Sequence, residues 1–253
     1  MQIGAQLYTV HDFLKTPEDF AETLKKIAEI GYRTVQVSGA PPYDAGWLAE
    51  NLQKNGLTCV LTHIVPDRIL HETDTVATEH KRFGCRYVGI GSAPGGLQNG
   101  MADYLRFRED FLPAIHRLNE LGLRFGYHNH YMEFQRYDGV SFMERLEKDF
   151  TPEELFFILD TYWVQYSGAD PAAWIRRLAG RVPCVHLKDM AIVSNAQRMA
   201  PVGEGNLNFE AILDACDTSG VEYLLVEQDN CNGEDPFDCL RRSYQNLKAM
   251  GLE

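Results

Sequence analysis

Strand-like and helix-like segments alternate along the whole chain, and those strand-like runs in its second half each end in a group able to bind a cation. Leu123-Arg124-Phe125 opens into Gly126-Tyr127-His128-Asn129-His130-Tyr131-Met132-Glu133-Phe134, which packs two histidines, an amide and a carboxylate into a few residues. Phe156-Phe157-Ile158-Leu159 runs into Asp160, Val182-Pro183-Cys184-Val185 into His186, and Tyr223-Leu224-Leu225-Val226 into Glu227. Connections too long for hairpins demand parallel strands, and a parallel barrel delivers its strand ends to one face.

The other segments fit the same plan. Ile3–Tyr8 reads as a first strand, and Thr16-Pro17-Glu18-Asp19 supplies an N-cap, a proline at N1 and an acidic first turn to a helix that stops at Gly31. Thr34–Val37 is the second strand, and Trp47–Asn55 is a helix stopped by Gly56. Cys59–His63 is the third strand, followed by a helix of weak apolar face within Pro66–Phe83. Arg86–Ile90 is the fourth, followed by a loop from Gly91 to Asn99 and a helix over Met101–Leu121. Helical material follows at Ser141–Leu146, Trp163–Tyr166, Pro171–Leu178 and Phe209–Cys216, with a polar loop over Lys188–Asn206 and a last helix over Pro236–Met250. Eight strand–helix pairs in 253 residues match the length of one (β/α)8 barrel, so residues 1–253 are expected to form a single α/β domain. A doubly wound open sheet would gather ligands at one switch point, whereas here polar groups end nearly every strand.

Charge narrows the partners. A formal net charge of −12 disfavours nucleic acid, whose phosphates need a basic face. Apolar runs of only a few residues exclude a bilayer-spanning segment. Met1-Gln2-Ile3-Gly4 leads straight into a strand-like run with no basic n-region, so no secretory signal is expected and the cytoplasm is the expected compartment. Cys59, Cys85, Cys184, Cys216, Cys231 and Cys239 show no CxxC spacing, which argues against a thiolate zinc site and against disulfides.

Asp160, His186 and Glu227 are ligand types that suit Mg2+, Mn2+, Co2+ or Zn2+. Any one alone reads equally well as a helix cap or a hydrogen-bonded histidine. Their coincidence at three consecutive strand ends makes one divalent ion the joint reading.

As an ordered set, His128-Asn129-His130 with Glu133-Phe134, Leu159-Asp160-Thr161, Val185-His186-Leu187-Lys188-Asp189, Gly203-Glu204-Gly205 and Val226-Glu227 resemble the sugar phosphate isomerase/epimerase group of xylose-isomerase-like TIM barrels. Gln6-Leu7-Tyr8-Thr9-Val10 is similar as well, and the resemblance spans essentially the whole chain. It implies a single divalent ion held by Glu, Asp, His and Glu. Three of these map onto Asp160, His186 and Glu227, but the position of the first Glu is His128 here. Either His128 is itself the ligand or Glu133 reaches back from the loop. Glu133 is preferred, because an acidic ligand keeps the site hard and neutralised.

The resemblance further implies a sugar or cyclic polyol substrate, with an ion that chelates a carbonyl and its neighbouring hydroxyl and makes the adjacent carbon acidic. Glu227, Glu133, His128 or His130 would then take the proton. Reprotonation gives an epimer or an isomer, the preferred outcome; loss of a β-group gives dehydration or keto-glycoside elimination, the alternative. A non-catalytic sugar-binding barrel is the reading from another class. His63, Lys188, Gln6, Trp163 and Glu204 are the expected substrate contacts, with Asp189 either orienting His186 or capping its loop. Related DNA-repair nucleases carry a histidine three residues past the strand-six aspartate, where this chain has Trp163. Barrels of this size commonly associate, which leaves a homo-oligomer open.

Overall fold

The two-residue period of a β-strand decides which side chains meet inside a barrel. A computed structural model describes residues 1–252. Its barrel strands are β1 (Gln2–Gln6), β2 (Thr34–Val37), β3 (Thr58–His63), β4 (Tyr87–Ile90), β5 (Arg124–His128), β6 (Phe156–Asp160), β7 (Cys184–Leu187) and β8 (Tyr223–Val226). Each pairs in parallel with its sequence neighbours, and β1 closes the ring against β8. The result is the expected (β/α)8 TIM barrel.

In β6, Phe156 and Ile158 belong to a small buried cluster with Leu61, Tyr87, Cys184 and Leu225, while Phe157 and Leu159 join the larger core with the helices. The inward series of β6 therefore continues Phe156, Ile158, Asp160, and by the same count β7 offers Cys184 then His186, and β8 Leu225 then Glu227. The apolar layer fills the barrel and the polar layer caps it at the C-terminal end. Gly126 lets the layers fit: a Cβ there would collide with the Phe156 ring and Ile158.

The surrounding helices include α1 (Pro17–Ile30), α2 (Ala45–Asn55), α3 (Pro66–His71), α4 (Thr73–Arg82), α5 (Met101–Glu120), α6 (Phe142–Asp149), α7 (Thr161–Tyr166), α8 (Pro171–Arg177), α9 (Phe209–Thr218) and α10 (Pro236–Ala249). Thr16 caps α1 by accepting from the Asp19 amide, as its sequence implies. Four local expectations change. β1 stops at Gln6, whose side chain accepts from the Tyr8 amide at 2.6 Å, and Leu7–Phe13 forms a 3-10 turn. The segment after β3 breaks at Glu72 (φ −128°) into α3 and α4. Asp138-Gly139, both at positive φ, turns a short hairpin of Arg136–Tyr137 and Val140–Ser141. Within the expected loop Lys188–Asn206, Asp189–Val193 pairs antiparallel with Ala196–Ala200 around Ser194 (φ 51°) and Asn195 (φ 60°). Two positive φ values are what a tight two-residue hairpin turn requires. Among the described residues no helix is long and apolar enough to cross a membrane, and the six cysteines are free.

His80 of α4 fastens that helix to β3. Its Nδ1–H donates to the Val76 carbonyl at 2.7 Å, and its Nε2 accepts from the Thr62 hydroxyl at 2.7 Å, next to His63 of the site. Burial pushes this imidazole down from 6.5 to about 4. Between those values the unfolded chain takes up a proton that the folded chain refuses, so stability present above pH 6.5 drains away as pH falls toward 4. In urea titrations, the stability advantage of the wild type over His80→Gln is expected to shrink by roughly 3 kcal/mol from pH 7.5 to pH 4. A pH-independent difference would contradict a neutral, buried His80.

Candidate metal centre and substrate cleft

One ligand atom from each of His128, Asp160, His186 and Glu227 lies within 4.8 Å of the other three, and all four residues are buried. What these atoms present to one another is decided by groups behind them. The Nδ1–H of His128 donates to the Gly91 carbonyl at 2.9 Å, which turns Nε2 toward Asp160 Oδ2, 3.3 Å away. Against the pull of burial, Asp160 and Glu227 raise His128 above its usual value. The Nε2–H of His186 donates to Gln36 Oε1 at 2.6 Å, which turns its Nδ1 lone pair toward Glu227 Oε2, 2.9 Å away. That second approach lacks hydrogen-bond geometry, and neither atom has a hydrogen-bond partner among the described residues. Acceptors facing acceptors in a buried layer are repulsive unless positive charge lies between them. Two anions and two imidazoles with fixed tautomers suit a divalent ion, whose ligating histidines characteristically donate their other N–H to a carbonyl.

Asp160 is doubly employed. Its Oδ1 caps α7 through the Trp163 amide at 3.0 Å, its own amide donates to Asn129 Oδ1 at 3.0 Å, and Oδ2 faces the cluster. Glu227 Oε1 accepts from Gln6 Nε2 at 2.5 Å, leaving Oε2 toward the cluster. Lys188, 1% exposed, places Nζ 3.0 Å from both Asp160 Oδ2 and Glu227 Oε2 and donates to Asp229 at 2.9 Å. Burial alone would raise both carboxyls; Lys188 together with His186 and His128 outweighs it and holds Glu227 well below the usual range and Asp160 below its own. Burial and the neighbouring Glu227 push Asp229 the other way, up to about 7. Burial keeps His186 and His63 neutral by lowering both, and with His128 beside it lowers His130 to about 3.

A cleft of about 330 Å³ opens over the cluster, lined among others by Gln6, Tyr8, His63, His130, Lys188 and Asp229. The sequence expectations for Gln6, His63, Lys188 and His130 thus converge on one place. Trp163 stands at its edge, its ring 5.4 Å from that of His130 and 5.6 Å from Lys188 Nζ. Two expectations are corrected. Glu133 does not reach the cluster: its carboxylate accepts from the Tyr127 hydroxyl and the His130 amide, both at 2.8 Å, and braces the loop while His128 takes the fourth place. Glu204, expected as a substrate contact, is not part of the cleft lining: it turns to Arg242 of α10 at 3.2 Å. Asp189 orders its own loop, accepting from the amides of Gly203 (3.0 Å), Gly205 (2.9 Å) and Leu207 (3.2 Å), and does not orient His186.

Sequence reasoning missed Gln36 and Asp229. Both carried a signal: Gln36 is polar within the apolar run Thr34-Val35-Gln36-Val37, and Asp229 follows Glu227 by two, which returns it to the same side.

Residues 24–249 match the model of the xylose isomerase-like TIM barrel family. An inosose dehydratase from Clostridium perfringens is 24% identical over 247 residues, covering 82% of each chain. Among solved structures, a sugar phosphate isomerase/epimerase from Parabacteroides distasonis superposes with a TM-score of 0.79 at 21% identity, over 98% of this chain and 94% of that one. An L-ribulose 3-epimerase does so with a TM-score of 0.76 at 17% identity, over 98% and 93%. At such identities the structural likeness is one of fold.

Calorimetric titration with Mn2+ tests the ligand set. The wild type is expected to take up one equivalent. Removing a direct ligand in His128→Ala should weaken uptake by more than the roughly 10–100-fold typical of an outer hydrogen-bond partner, and Gln36→Leu should fall within that span. Glu133→Gln should bind within a few-fold of wild type; the reverse ranking of His128→Ala and Glu133→Gln would restore the sequence expectation.

Proposed function

The chain belongs to the xylose isomerase-like TIM barrel family, and on that footing we propose that it is a divalent-metal-dependent enzyme that moves a proton on the carbon beside a sugar carbonyl, as an isomerase or epimerase. The observation that carries this reading is the buried convergence of His128, Asp160, His186 and Glu227 beneath a cleft lined with titratable side chains. The ion these residues would hold supplies Lewis-acid polarisation of a carbonyl and its neighbouring hydroxyl. The remaining work falls to the chain's own groups.

Glu227, kept ionised by Lys188 and His186, has one oxygen on Gln6 and the other turned to the cluster, and serves as a ligand. Lys188 supplies a fixed positive charge for a substrate oxygen that becomes negative as the proton leaves, where a preorganised cation acts most strongly. His130 is the proposed base on position: it lines the cleft and its Nδ1 has no hydrogen-bond partner among the described residues. It takes the proton only as bound substrate offsets the burial and the His128 charge that lower it to about 3. Asp229, with its carboxyl near neutrality, is the proposed acid that returns a proton. Return to the opposite face gives an epimer and return to the neighbouring carbon an isomer. His63, hydrogen-bonded to Ser38 at 3.3 Å, offers its other nitrogen to a substrate hydroxyl.

Dehydration is the second reading, favoured by the curated relatives named inosose dehydratase. It shares the first proton abstraction and differs in losing a β-hydroxyl. Incubation of the Mn2+-loaded protein in D2O with a panel of ketoses and with inosose separates the outcomes by NMR. Deuterium at one carbon without loss of water is expected; an unsaturated ketone with released water would select dehydration, and no exchange at any C–H would contradict both. His130→Ala is expected to slow exchange by about 10²–10⁴-fold while one equivalent of metal still binds.

A further inference from the structure

Three aromatic rings continue outward from the wall of the cleft. Tyr131 follows β5, and Trp163 and Tyr166 lie on α7, so all three stand at the C-terminal mouth of the barrel. Their centroids are 5.6 Å apart for Tyr131 and Trp163, 5.3 Å for Tyr131 and Tyr166, and 5.5 Å for Trp163 and Tyr166, which makes one contiguous patch. The patch meets the cleft at Trp163, whose neighbours there are His130 and Lys188. Tyr162, buried behind, stacks on Tyr166 at 6.0 Å and 24° and fixes its orientation. Core packing does not account for the outer rings, since Tyr131 and Tyr166 are each 48% exposed.

Rigid aromatic faces beside a polar cleft stack against the apolar face of a sugar or a planar ring. The cleft itself, at about 330 Å³, lies at the low end of ligand pockets, which run from roughly 300 to 1,000 Å³. A second ring joined to the reacting one and leaving the cleft beside Trp163 meets the patch, which is the adjoining surface. We propose that Tyr131, Trp163 and Tyr166 form a second subsite, and that the substrate is a carbonyl-bearing sugar linked to a second ring. This rests on the reading of the cleft as a sugar site and names the substrate class for it. The second ring is either another sugar or an aromatic aglycone; both stack on the same surface.

The test measures binding, without turnover, to the metal-loaded protein. Calorimetry compares methyl glycosides of glucose, galactose, xylose and mannose with their phenyl glycosides, and with cellobiose, lactose and maltose. At least one two-ring ligand is expected to bind about tenfold more tightly than the methyl glycoside of the same sugar, the gain that stacking on two rings supplies. In the Tyr131→Ala/Tyr166→Ala double variant that ratio should fall to near one, with unchanged Mn2+ stoichiometry and methyl-glycoside affinity. Gain by the phenyl series alone assigns an aglycone, and gain by the disaccharides a second sugar. The proposal is overturned if no two-ring ligand surpasses its methyl counterpart, or if the advantage survives in the double variant. Failure of proton exchange would instead concern the cleft and leave this ratio untouched.

Discussion

Lone pairs that face one another in a buried layer are the constraint on which the rest of the site depends. Gln36 takes the single N–H of the neutral His186, which then has only an acceptor to offer Glu227, while His128, tied to Gly91 through Nδ1, shares its Nε2 with Asp160. Carboxylates and imidazoles so arranged repel unless a cation or shared protons hold them. The chain supplies one cation itself, the Lys188 ammonium, set against one oxygen of each carboxylate and steadied by Asp229. With the neighbouring histidines, that charge keeps both carboxylates ionised, the state a carboxylate needs to bind a cation.

The barrel makes this arrangement reproducible. Three of the four cluster positions stand above an apolar residue two places earlier: Ile158 below Asp160, Cys184 below His186 and Leu225 below Glu227. The fourth, His128, stands above Gly126, where the Phe156 ring fills the space. A one-residue slip would turn each ligand outward, so the packing of the apolar layer and the geometry of the polar layer are fixed together. Further groups at the cleft come from the loops, where variation leaves the scaffold intact. His130, Asp229 and the aromatic rings beyond Trp163 all belong to that outer tier.

The fold and the convergence of its polar strand ends were legible because both follow from periodicity. Alternating segments give the closed parallel ring, and Asp160, His186 and Glu227 stand at ends that parity sends inward. The fourth place was misread on charge: Glu133 suits a hard ion better than a histidine does, but its two hydrogen bonds, to the Tyr127 hydroxyl and the His130 amide, are contacts that ligand type does not encode. Glu204 was misplaced for the same reason, since its partner Arg242 lies 38 residues away in sequence. The hairpin over Asp189–Ala200 escaped notice because neither of its turn residues, Ser194 and Asn195, is a glycine. The Asp138-Gly139 turn carried its signal plainly and was simply not read.

The most direct measurement of the central claim is anomalous diffraction from crystals soaked in Mn2+. The geometry predicts a single peak at bonding distance, roughly 2.0–2.3 Å, from His128 Nε2, Asp160 Oδ2, His186 Nδ1 and Glu227 Oε2, with Glu133 still bonded to Tyr127. A peak ligated by Glu133 with His128 turned away, or no peak between these four atoms at saturating Mn2+, would contradict it.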